Sequence, residues 1–157
     1  MAERSLHIKT VTQQLRILFK AVQAHSKYVE KQCGLSSAKL WMLHELNAAP
    51  GIKVSKLAIA LTIHPSTCSN MLDKLEEEGF VSKERSKADQ RAVHLSLTEK
   101  GRLLLKNAPQ PTQGELSGAL EKLSDEDLVV LETGLEKLVQ ELSGRNENAG
   151  LFPIPGE

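Results

Sequence analysis

At 157 residues, 40% hydrophobic and 25% charged, the chain has the size and balance of one soluble globular domain with a compact core. Aromatic residues make up 3%, which argues against a stacking platform for single-stranded nucleic acid. No long apolar run marks a signal peptide or membrane span, and Cys33 and Cys68 are too few for a disulfide framework, so a reducing cytoplasm is expected. The formal net charge of zero is a cancellation between segments. Residues 1–39 carry seven Lys/Arg against two Asp/Glu, a balance of +5, and residues 53–102 carry nine against seven, a balance of +2. Residues 115–147 carry three against nine, a balance of −6. A segment-sorted charge keeps nucleic acid among the partners that the bare total would exclude.

Residues 6–31 predict a long helix, because Ile8, Val11, Leu15, Leu18 and Val22 recur in the heptad-like steps of an apolar seam. Gly34 ends it, and Ser36 or Ser37 caps a second helix running to about Ala48 with Leu40, Trp41, Leu43 and Leu46 inward. A turn follows over 47–51. Val54, Leu57, Ala58 and Leu61 then mark a short amphipathic helix, and 61–64 a tight turn. Pro65 suits a first helical position and opens a helix to Glu78, with Gly79 at its left-handed stop. Cys68, Met71, Leu72 and Leu75 form its apolar face. Ser66, Thr67, Ser69, Asn70 and Lys74 leave the other face to short hydrogen-bonding groups and one cation, a set able to read base edges and phosphates. Two helices joined by so short a turn make a helix-turn-helix whose second helix enters the major groove.

Next come strands at 80–83 and 92–97, with Val93, Leu95 and Leu97 alternating to one face. The segment between them, 84–91, is too polar to bury, and Arg85, Lys87 and Arg91 make its tip cationic. A hairpin of this kind beside a recognition helix is a wing. Thr98 caps a further helix to about Asn107, which Pro109, Pro111 and Gly114 break before it resumes toward Leu116, Leu120 and Leu123. Ser124 caps a last helix bearing Leu128, Leu131, Leu135, Leu138 and Leu142, a second heptad-like seam. The tail ends in Leu151, Phe152, Pro153, Ile154, Pro155 and Gly156.

These residues resemble the MarR (multiple antibiotic resistance regulator) family of winged-helix repressors. The likeness rests on Leu57-Ala58, on the run from Asp73 to Val81, and on Asp89-Gln90-Arg91 leading into Leu97-Thr98-Glu99-Lys100-Gly101. The Asp-x-Arg tip followed by Leu-Thr-x-x-Gly is its most specific part. The resemblance implies a mainly α fold with a β-hairpin wing. It divides the chain into a helical dimerisation region at 1–35 and 102–145, a winged helix-turn-helix at 36–101, and a tail at 146–157. It further implies a homodimeric repressor that reads double-stranded DNA through Ser66, Thr67, Ser69, Asn70, Lys74, Arg85, Lys87, Asp89 and Arg91. Arg91 would reach the minor groove with the Asp89 carboxylate bracing its guanidinium. A small aromatic or phenolic effector would sit near Tyr28, Trp41 and His44. Two positions depart from the family pattern. Thr62 replaces a smaller turn residue, and Asn70 stands where a cation is frequent, which shifts the expected contact toward adenine.

Two other readings stay open: a winged-helix module that grips a protein instead of DNA, and a redox-sensing regulator whose Cys33 thiol is activated by Lys31. The cationic wing favours phosphates. The five histidines, His7, His25, His44, His64 and His94, lack metal-ligand spacing, and no nucleophile stands with a base, so neither a metal, a cofactor nor enzymatic chemistry is expected.

Overall fold

The computed structural model describes residues 1–89 and 91–154; Gln90 of the wing-tip motif and Pro155, Gly156 and Glu157 of the tail lie outside the described residues. Helix α1 spans Ala2–Cys33 and stops at Gly34, whose φ of 70° is the left-handed geometry that glycine adopts without a Cβ penalty. Helix α2, Ser37–Ala48, is capped by the Ser36 hydroxyl, which accepts from the Lys39 N–H at 3.3 Å. It is the central post of the fold, with Leu40, Met42, Leu43 and Leu46 fully buried and α1, α3, α5 and β2 packed around it.

Helices α3, Val54–Ala60, and α4, Pro65–Glu77, meet through Leu57, Ala58, Leu61, Cys68, Leu72 and Leu75, all buried. The expected apolar face of α4 is therefore the one that faces the core. The turn between them places Thr62 at φ 53°. That conformation costs a non-glycine residue about 1–2 kcal/mol. It is the physical content of the departure noted at this position.

Strands β1, Val81–Arg85, and β2, Val93–Leu97, form the antiparallel hairpin, with Val81 opposite Leu97 and Arg85 opposite Val93. The hairpin has a third, unforeseen rung at its base. The Gly51 N–H donates to the Leu95 carbonyl at 2.8 Å, the Leu95 N–H donates to the Ile52 carbonyl at 3.1 Å, and Lys53 bridges to His94. The expected turn at 47–51 thus ends by pairing with the wing.

The Leu-Thr-x-x-Gly run has a mechanical explanation. Thr98 caps α5, Glu99–Asn107, by accepting from the Gly101 N–H at 3.1 Å, and its hydroxyl donates to the Gly79 carbonyl at 2.6 Å. The Thr98 N–H donates to the Phe80 carbonyl at 3.1 Å. A Cβ on Gly101 would overlap that same carbonyl oxygen, so this close crossing of α5 over the end of α4 requires glycine. Lys100 completes the joint, donating to the Glu78 carbonyl and lying 4.5 Å above the Phe80 ring.

The chain breaks at the expected prolines. Helix α6, Glu115–Leu120, follows the loop and packs on α1, and α7, Asp125–Gln140, starts from Ser124, whose hydroxyl accepts from the Asp127 N–H at 3.1 Å. Helix α7 has no buried residue, and α1 buries only Val22, Ser26 and Val29, so the α7 seam and the α1 seam as far as Leu18 are left without a buried residue. A short 3-10 turn, Glu147–Leu151, closes the described chain. Among the described residues no helix is long and apolar enough to cross a membrane.

Candidate nucleic-acid interface

The outward face of α4 starts from an unusual cap. His64 precedes Pro65, and its Nδ1 accepts from the Ser66 N–H at 3.3 Å while lying 2.9 Å from the Ser66 hydroxyl. Histidine is not a favoured capping residue, and its role here was missed because no composition rule selects it. Ser66 is consequently tied to the cap. Asn70 and Lys74 are exposed, and Thr67 and Ser69 are half-buried along the same side. Asp73, on this face too, pairs with Lys83 of β1, which also lies 3.8 Å from Glu76. That pairing clamps α4 to the wing and consumes Lys83.

The wing tip is organised by two short side chains. The Ser86 hydroxyl accepts from the N–H groups of Ala88 and Asp89 at 3.2 and 3.4 Å. The Ser86 N–H donates to the Ala92 carbonyl, and the Ala92 N–H donates to the Asp89 carbonyl, both at 3.0 Å. Asp89 does brace Arg91, but at the backbone: its Oδ1 accepts from the Arg91 N–H at 3.0 Å. Among the described residues no ion pair joins its carboxylate to the guanidinium, so the expected side-chain brace is corrected to a backbone one. The two-residue spacing allows either arrangement, and the tight turn brings the amide nearer than the far end of a long side chain. Arg85, Lys87 and Arg91 are exposed and enter no ion pair among the described residues. The structure thus gathers all nine expected DNA-facing residues on α4 and the hairpin beside it.

The three expected effector residues are not gathered. Tyr28 is 54% exposed on α1. Trp41, whose indole N–H donates to Glu45 at 3.1 Å, lines a cavity of about 370 Å³ with Leu61, Met71 and Leu120. His44 faces another hollow, of about 450 Å³, beside Arg102 and Lys106, with its Nδ1 2.7 Å from the Thr112 hydroxyl. One turn of α2 separates Trp41 from His44 and points them into different spaces. Among the described residues no group of three or more His, Cys, Asp or Glu side chains is placed to hold a metal ion.

Both thiols are shifted away from the thiolate form. Burial pushes the Cys68 thiol up to about 11, and the same cause raises Cys33 from its ordinary value. Desolvation at Cys33 thus runs against the activation by Lys31 that the redox-sensor alternative requires.

The MarR family model matches residues 35–93. The HTH-type transcriptional repressor MdtR of Bacillus subtilis is 28% identical over 80% of this chain and 81% of its own length. An uncharacterised HTH-type transcriptional regulator of the same organism, YfiV, is 30% identical over 74% of this chain and 72% of its own. Among solved structures, a cysteine-to-serine variant of MarR from Escherichia coli in complex with operator DNA superposes with a TM-score of 0.55. That match has 19% identity and covers 82% of this chain and 95% of the other.

Proposed function

The chain belongs to the MarR family of DNA-binding transcriptional regulators, and from that premise we propose that it is a cytoplasmic repressor that binds a pseudo-palindromic duplex site as a homodimer. Its family is one of regulators, not enzymes. The observation that carries the finer reading is one continuous outward surface. An α4 face on which the Thr67, Ser69, Asn70 and Lys74 side chains enter no hydrogen bond or ion pair among the described residues lies beside a wing tip whose three cations enter no ion pair among them either. Major-groove edges suit the first and phosphates or a narrow minor groove the second. The naming of MdtR as a repressor and the capture of the MarR variant on operator DNA support it. The open seams of α1 and α7 support a dimer, which would set the two α4 helices about 34 Å apart, one turn of B-DNA. A small aromatic effector would use the Trp41 cavity or the cationic hollow at His44.

Within the proposed interface, Asn70 reads a base and Lys74 holds a phosphate. On a site enriched from the protein's own genome, Asn70→Ala then costs about 1–3 kcal/mol and relaxes preference at one base step. Lys74→Ala weakens all sequences alike and lowers the salt slope by about one. Fluorescence anisotropy over a salt series separates the two, and identical profiles would refute the division of roles.

A further inference from the structure

The turn that presents α4 meets its hydrogen-bonding needs locally up to its last residue. The Leu61, Thr62 and Ile63 N–H groups donate to Leu57, Ile59 and Ala58. The His64 N–H does not: it donates to the carbonyl of Leu151, 87 positions later in the chain, at 2.9 Å. The tail reaches this point because Asn146 starts its 3-10 turn, the Asn146 side chain accepting from the Asn148 N–H at 3.1 Å. Pro153 and Ile154, both half-buried, then form one wall of the cavity with the inner edge of the exposed Phe152; the other walls are Trp41, Leu61, Ile63 and Met71. Thr62, held at φ 53°, lines the same cavity.

We propose that segment 147–154 is an internal peptide ligand of the helix-turn-helix, seated between α2 and the α3–α4 turn, which fixes the N-terminus of α4. Three observations converge on it. The bonded amide is the one that defines where α4 begins. The seat is apolar, and the tail offers Phe, Pro and Ile, a short extended sequence with little rotamer freedom to lose. The residue in strained geometry sits in the turn against which the tail lies, and such geometry persists only where the surroundings over-determine it. The segment also follows α7 after the short connection 141–146, so it links the helix of the proposed dimer seam to the helix proposed to read DNA. In that last respect the inference rests on the proposed function; the seating itself does not.

The intact 157-residue chain carries its own reporter, because Trp41 is its single tryptophan. Ile154 is half-buried in the cavity wall, whereas Phe152 is 54% exposed, so Ile154→Asp puts a carboxylate against the apolar seat and unseats the tail, while Ile154→Leu keeps it. Expected for I154D are a red-shifted, more quenchable Trp41 emission and faster hydrogen exchange at the His64 amide. The exchange rate should rise roughly threefold to tenfold, the equivalent of one net hydrogen bond. I154L should match wild type in both. DNA affinity should fall in I154D by a similar factor. Emission and exchange that are the same in wild type and I154D would overturn the seating, and an unseated tail with undiminished DNA affinity would overturn its hold on α4. Failure of the wild-type protein to bind any duplex would instead count against the regulator reading, and the fluorescence and exchange results would still decide the seating.

Discussion

Cys68 shows how a single position serves the core and answers to pH. Its sulfur is fully buried on the inner face of α4, 4.0 Å from the Val54 carbonyl. Because burial raises its folded value from about 9 to about 11, the fold favours the neutral thiol. The unfolded chain then binds fewer protons across that interval. This contribution to stability is therefore complete below about pH 9 and is lost as pH rises toward 11. Thermal melts from pH 8 to 11 should show Cys68→Ala losing less stability with rising pH than wild type, from a start lowered by about 1 kcal/mol of packing. Parallel curves would place the alkaline sensitivity elsewhere. At this scale the sequence was legible wherever one residue type has one job. Pro65, Gly34, Gly79, Ser36, Thr98 and Ser124 all stand where their backbone preferences or capping oxygens require. It was illegible at His64, whose capping depends on a ring orientation that spacing does not encode, and at Asp89, whose carboxylate had two candidate partners two residues away.

Among the elements, the wing gains most from the structure. Alternation of Val93, Leu95 and Leu97 is enough to find β2, since a half-buried strand must alternate. The rung contributed by 51–53 is invisible in sequence because three residues are too few to show a period. The backbone brace at the tip changes what its variants should do. Arg91→Ala should lose more affinity than Arg85→Ala or Lys87→Ala, and most where the site flanks are A·T-rich, because an inserted guanidinium exploits the narrow groove. Arg91→Lys should rescue only part of it. Asp89→Ala should bind less tightly than wild type, although it removes a negative charge, because the turn loses its acceptor for the Arg91 N–H. Asp89→Asn keeps an acceptor and drops the charge, so it should bind at least as tightly as wild type. Anisotropy on one operator at fixed salt orders these variants. Equal affinities for the alanine and asparagine forms would leave the tip acting through net charge alone.

At the scale of the molecule, the heptad-like seams were legible but their occupant was not, because a repeat of leucines reads the same whether it covers its own core or a second copy. The single chain leaves Leu131, Leu135 and Leu138 exposed on α7, along with Ile8, Val11 and Leu18 on α1. Leu135→Asp should therefore produce a folded monomer at micromolar concentration by analytical ultracentrifugation and abolish operator binding, since the charge would be stranded in the seam of the proposed dimer. A dimer that survives this change would move the interface elsewhere. The open face of α1 has a further consequence, for order itself. Residues 1–21 are exposed or half-exposed throughout, a rod of about 30 Å with scant support from the rest of its own chain. Helices without tertiary contacts are marginal in water, because nucleation is costly and each added residue contributes little. In a solitary chain this rod would sit close to its helix–coil midpoint, and assembly into the proposed dimer would complete it. Helical circular dichroism should therefore fall on dilution through the dissociation range while the winged unit stays folded, so that how much of the chain is helix becomes a function of how much protein is present.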